Sequence, residues 1–116
     1  MRIDIRGRNV EVTDELREAV GKRFSRTARQ VSELATLDVE LSEERNPAIR
    51  DSQVVEATLH VKGATLRAHE ASPEMLHSIH EAAEDIRRQV KKHREKRRNR
   101  WRARRAKKAQ LRGSAA

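Results

Sequence analysis

Apolar and polar residues alternate from the start of the chain. Ile3 and Ile5 share one face while Arg2, Asp4 and Arg6 share the other, which predicts a half-buried strand over 2–6 ending near Gly7. The period then changes. Leu16, Ala19, Val20, Phe24, Ala28 and Val31 recur at helical spacing and predict one amphipathic helix from about 14 to 31. Its start is marked by the Thr13 hydroxyl as a cap, then Asp14 and Glu15 at the positive end of the helix dipole. Alternation returns with Leu37, Val39 and Leu41 against Asp38, Glu40 and Ser42, and again with Val55, Ala57, Leu59 and Val61 against Glu56, Thr58, His60 and Lys62. The polar stretch 43–52, with its proline, reads as a loop between these two strands. Lys62-Gly63 makes a short turn into a fourth strand over 64–70, with Leu66 and Ala68 facing in. Ser72-Pro73-Glu74 opens a second helix, whose stripe is Met75, Ile79, Ala82, Ala83, Ile86 and Val90.

The predicted order is β-α-β-β-β-α, an α+β fold with one four-stranded sheet and two helices packed on one face. Strands two to four are close in sequence, so an antiparallel meander is the simplest arrangement. The apolar stripe stops at Val90, yet helix-forming residues continue to Gly113, so the second helix projects beyond the body or frays there. A domain over 1–98 followed by a basic extension or linker over 99–116 is the expected organisation. A chain of 116 residues suffices for one modest core.

Charge turns this outline towards function. Residues 87–112 hold 15 of the 27 Lys and Arg and one of the 18 acids, Glu95, about +14 by formal count. Residues 1–86 carry 12 basic and 17 acidic side chains, a formal −5. Such an arm is suited to lie along a polyanion, because each neutralised phosphate releases condensed counterions. Arg87, Arg88, Lys91, Lys92, Arg94, Lys96, Arg97 and Arg98 make the solvent side of the second helix almost wholly cationic, and Lys22, Arg26 and Arg29 form a basic ridge on the first. A merely solvated helix usually interleaves signs, since like charges at i, i+4 repel. An anionic membrane is a poor partner because residues 91–110 lack bulky apolar anchors. No zinc-finger spacing, zipper or helix-turn-helix is visible, and folded RNA, read by shape and phosphate geometry, suits a sheet with basic helical faces.

Other chemistry is thinly represented. There are no cysteines, so disulfides, thiolate metal sites and thiol nucleophiles are excluded together. His77 and His80 stand at i, i+3 on a helix, but no ligand set completes a metal site, and no cofactor is implied. No nucleophile motif or phosphate-cradling glycine loop suggests an enzyme. Trp101, set among basic residues, is a candidate for stacking on a base or equally a loose apolar contact. The N-terminus has no signal-peptide core and no run reaches membrane-spanning length, so a cytoplasmic protein is expected.

Two segments carry a family resemblance. Residues 1–17, MRIDIRGRNVEVTDELR, and residues 55–96, VEATLHVKGATLRAHEASPEMLHSIHEAAEDIRRQVKKHREK, resemble ribosome hibernation promoting factors. That family includes the ribosome-associated inhibitor and proteins labelled sigma-factor modulators, and the resemblance extends to about residue 98. It implies the same β-α-β-β-β-α domain. It also implies a bacterial translation inhibitor that binds the small ribosomal subunit and its 16S rRNA at the decoding region, across the mRNA path and tRNA sites. There it would compete with mRNA and tRNA and preserve idle ribosomes in stationary phase or stress. The basic positions that would grip rRNA map to Lys22, Arg23, Arg26 and Arg29, and to Arg87, Arg88, Lys91, Lys92, Arg94 and Lys96.

The chain departs from the family pattern in three places. Leu76 and His80 stand where members commonly carry an aromatic and an acid, so no role passes to them. The stretch from Asn99 to Arg112 is longer and more basic than the end of a typical short member. Long members carry a second, C-terminal domain that pairs ribosomes, so dimerisation is expected only if such a domain is missing from these 116 residues. Two further readings stay open: a module for other structured RNA, and a transcription modulator that binds a protein partner.

Overall fold

A computed structural model describes residues 1–114. Four strands, β1 (Arg2–Arg8), β2 (Thr36–Glu43), β3 (Gln53–Val61) and β4 (Ala64–Ser72), form one sheet in the order β1-β2-β3-β4. β2, β3 and β4 make the antiparallel meander. β1 lies parallel to β2, with Ile3 opposite Leu37 and Ile5 opposite Val39. A parallel neighbour needs a crossover, and the helical segment between β1 and β2 supplies it. β1 runs through Gly7 to Arg8 because Gly7 still pairs with Leu41. At Gly7 the chain returns so closely that a Cβ would collide with the Val10 carbonyl oxygen, so the missing side chain is a packing requirement. Gly63, with φ 82°, takes the left-handed conformation that closes the β3–β4 hairpin.

The helix expected over 14–31 is two helices, α1 (Asp14–Arg23) and α2 (Ser25–Gln30), broken at Phe24. Phe24 has φ −91° and ψ 5°, off the α-helical minimum. The Ser25 hydroxyl donates to the Lys22 carbonyl at 2.8 Å, and a side chain inserted into the helical ladder bends it there. The ladder resumes with Ala28 N–H donating to the Phe24 carbonyl at 3.0 Å. The bend seats Phe24 with no exposed surface among the sheet residues, beside Val20. Upstream, the Thr13 hydroxyl caps α1 by accepting from Leu16 N–H at 3.2 Å.

α3 (Met75–Ser114) is one continuous helix, about 60 Å long at 1.5 Å per residue. Ser72 ends β4 and caps the turn into it, accepting from Glu74 N–H at 3.3 Å. The Ser72 and Ser78 hydroxyls lie 2.7 Å apart, and Ser78 donates to the Gln53 carbonyl at 2.7 Å. That relay locks the first turn of α3 to the start of β3. Ile79, Ala82, Ala83, Ile86 and Val90 bury against Leu37, Val39, Leu41, Val55, Ala57 and Leu59, so the core lies between one sheet face and the helices. From Arg94 to Leu111 every residue of α3 is exposed. The helix leaves the body as an arm and stretches the molecule to 72 × 29 × 17 Å. No helix among the described residues is long and apolar enough to cross a membrane.

Candidate nucleic-acid interface

The two faces of the molecule differ in charge. The open sheet face carries Asp4, Asp38, Glu40 and Glu56 beside Arg2, Arg6, His60 and His69, largely in cross-paired contacts. Arg6 lies 3.7 Å from Glu40, His60 3.3 Å from Asp38 and His69 3.6 Å from Glu56. With Arg8 and Arg67 on the same face, four carboxylates are matched by four arginines and the open face carries no net formal charge. The helical face has a different character.

α1 and α2 run beside α3 in the same direction, as three neighbourhoods show. Lys22 and Arg23 line a hollow with Leu76, the charge of Arg26 acts on Glu84, and Gln30 shares a hollow with Lys91, Arg94 and Arg98. The basic ridge of the first helical segment therefore feeds into that of α3 along one groove. Lys91, Arg94 and Arg98, at three- and four-residue spacing, face α2 across it. Arg88, Lys92 and Lys96 fall by the helical period on the side of α3 turned to solvent, and all three are exposed. Arg97 lines a hollow beside the β3–β4 hairpin together with Lys62 and Arg94.

Not every basic position is equally available to a phosphate. Arg87 donates to Glu84 at 2.9 Å, and its Nε is buried without a partner. Lys22 and Arg23 share their hollow with Glu15 and Glu18, which dilutes the positive potential at that end. Arg26 and Arg29 are exposed on α2. Trp101 lies out on the arm, 58% exposed, with the Arg105 guanidinium 4.7 Å from its ring centroid. The structure thus gathers Lys91, Arg94, Arg97 and Arg98 near α2 and leaves Trp101 apart from them.

Two contributors escaped the sequence reading. Lys62 sits at a hairpin tip, and only the tertiary fold brings it to Arg94 and Arg97. Arg105 had a readable signal, its i, i+4 spacing from Trp101. Among the described residues no group of three or more His, Asp or Glu could hold a metal ion.

The family model for "Sigma 54 modulation protein / S30EA ribosomal protein" matches residues 3–98. The chain belongs to this family. The match takes in the sheet from Ile3 onward, α1, α2 and α3 as far as Arg98. A ribosome hibernation promoting factor of Azotobacter vinelandii is 34% identical over 96 residues, which are 83% of this chain and 85% of that protein. A ribosome hibernation promotion factor of Picosynechococcus sp. is 32% identical over 97 residues, 83% of this chain and 50% of that protein, so the chain spans about half of that longer relative. Among solved structures, the N-terminal domain of Thermus thermophilus Protein Y superposes with a TM-score of 0.70 at 26% identity, covering 80% of this chain and 99% of that one.

Proposed function

We propose that this S30EA-family protein is a ribosome hibernation factor. It acts in the cytoplasm by occupancy, with no catalytic step. The body lies in the decoding region of the small subunit with its helical face on 16S rRNA, where it excludes mRNA and tRNA and keeps idle ribosomes silent under stress or in stationary phase. Residues 1–98 are the ribosome-binding domain, and the arm from Asn99 adds phosphate contacts.

One observation carries the reading: the groove in which Lys91, Arg94 and Arg98 face α2, in a protein whose other broad face balances its basic side chains with carboxylates. That asymmetry concentrates the uncompensated positive charge on the helical side. Arg26 and Arg29 extend the grip along α2, and Arg88, Lys92, Lys96 and Arg97 broaden it around α3. Lys22, Arg23 and Arg87 contribute less because carboxylates lie beside them. The names of the relatives, hibernation factors in Azotobacter vinelandii and Picosynechococcus, support the ribosome as the polyanion.

The deciding experiment is sedimentation of the purified protein with vacant ribosomes and separated subunits on sucrose gradients, with and without mRNA and initiator tRNA. Co-migration with the small subunit, lost when mRNA and tRNA are bound, is the expected result. Equal binding to both subunits, indifferent to mRNA and tRNA, overturns the proposal in favour of a general structured-RNA binder.

A further inference from the structure

Where α3 crosses the tip of the β3–β4 hairpin, a hollow of about 200 Å³ opens between them and the end of α2. Its inner wall is apolar, made by Val31, Val61, Leu66 and the nearly buried Val90. Its rim is cationic, made by Lys62, Arg94 and Arg97, and among the described residues no carboxylate lines it. His93 also lines it, and the Nε2 of that ring is buried with no hydrogen-bond partner from the protein.

Size narrows the ligand. A cavity of about 150 Å³ admits one benzene-sized ring, whereas pockets for drug-sized ligands begin at about 300 Å³. The hollow therefore suits one flat heterocycle. The three rim cations add a phosphate to that ring and disfavour an apolar peptide side chain. A second hollow of about 260 Å³ adjoins the first, sharing Gln30 and Arg94 with it and continuing along the groove past Lys91 and Arg98. An RNA strand leaving the first hollow would have a cationic path to follow.

We infer that the hollow between α2, α3 and the hairpin tip takes one unstacked nucleotide, its base against Val31, Val61 and Leu66 and its phosphate on Lys62, Arg94 and Arg97. This deepens the RNA-binding reading above and rests on it for the source of the nucleotide, but not for the chemistry of the pocket. A phosphate-only grip is indifferent to the base, whereas this pocket is not.

The test is an amide-resolved NMR titration of the full chain with uridine 5′-monophosphate, hexauridylate, ribose 5-phosphate and inorganic phosphate. Uridine monophosphate is expected to shift the amides of Val31 and Leu66 as well as those around Lys62, Arg94 and Arg97, while ribose 5-phosphate and phosphate shift only the latter. Val31→Phe fills the hollow without changing charge and is expected to weaken uridine monophosphate about tenfold, in line with the loss of one base contact. Identical shifts from ribose 5-phosphate and uridine monophosphate overturn the inference, as does silence at Val31 and Leu66 with every probe. That comparison uses the unmodified chain, so it stands even where the variant fails to fold. Tighter binding of hexauridylate than of the monophosphate assigns the pocket to RNA, and equal binding assigns it to free nucleotide. Base-dependent shifts in a chain that fails to sediment with ribosomes sink the ribosomal proposal alone, and sedimentation without base-dependent shifts sinks the pocket alone.

Discussion

Arg87 donates from Nη2 to Glu84 Oε2 across 2.9 Å, tying together two residues one turn apart on the face of α3 that looks towards α2. The bond holds the Glu84 carboxyl below its ordinary range. Burial pulls the other way, and the charges of Arg87, His80 and Arg26 reinforce the lowering. Arg87 thus serves the fold before it serves a phosphate, although its place in the sequence is that of another cation in a basic run.

The sign of the pH dependence follows. A carboxyl whose folded-state pKa lies below its unfolded value of 4.5 stabilises the fold fully above that value. The contribution is lost as pH falls through the folded-state pKa. The stability difference between wild type and Glu84→Gln, measured by urea unfolding, is therefore expected to be about 0.3–0.5 kcal/mol near neutral pH, the usual worth of a partly exposed helical ion pair. It should vanish on acidification below the folded-state pKa. A difference that stays constant with pH refutes the assignment.

Charge reversal separates the groove cations from Arg87. If about ten phosphates are contacted, log affinity for ribosomes should fall against log salt with a slope of roughly −7 to −9. Lys91→Glu with Arg94→Glu is expected to lower affinity strongly and flatten that slope by about one unit per lost phosphate. Unfolding stability should hardly change, since both residues are exposed. Arg87→Ala is expected to do the reverse, lowering stability more than affinity. Ribosome sedimentation across a salt series checks both, and a flat response in wild type removes the phosphate grip altogether.

The sequence made the strands, the two basic helical faces and the projecting end of α3 legible, because each writes its period or its charge into consecutive residues. The break at Phe24 was not legible. Val20, Phe24 and Ala28 keep helical spacing through the bend, and the Ser25 hydroxyl that causes it looks like any polar surface residue. Nor does the alternation of Ile3 and Ile5 say that β1 pairs parallel to β2, since both pairings have a period of two. The site divides in the same way. Lys91, Arg94 and Arg98 could be read as one face of a helix, while their meeting with Gln30, and that of Lys62 with Arg97, exists only once the hairpin and helices pack.

The hydroxyl relay at the start of α3 gives a stability prediction away from the charged surface. Ser78 is wholly buried and bonds the Gln53 carbonyl and the Ser72 hydroxyl, each at 2.7 Å. Ser78 donates to the Gln53 carbonyl, while the Ser72 hydroxyl lies 2.7 Å from both Ser78 and the Glu74 carbonyl. Ser78→Ala leaves the part-buried Gln53 carbonyl without its hydroxyl donor, while Ser72 keeps its bonds to Glu74. The expected loss is about 1–3 kcal/mol in urea unfolding. Ser78→Cys, which keeps a weak donor, should lose less, and equal losses would mean that the relay adds nothing beyond packing.

Trp101 provides a direct reading of what the arm does. It is the only tryptophan in the chain, it is 58% exposed, and Arg105 lies over its ring at 4.7 Å. Arg and Trp together offer a flat cationic face, which suits an unpaired base flanked by a phosphate. Binding of small subunits is therefore expected to quench the fluorescence of the unmodified chain. Trp101→Ala should weaken binding by about 1–3 kcal/mol, the typical worth of one stacked base. Trp101→Phe keeps a ring and should recover much of that loss, whereas a charge-only arm would bind equally well with alanine. Quenching by ribosomes together with unchanged affinity of the alanine variant would place the arm near RNA without a stacked base. Unchanged emission would mean that Trp101 stays in solvent and that the arm acts through its cations alone.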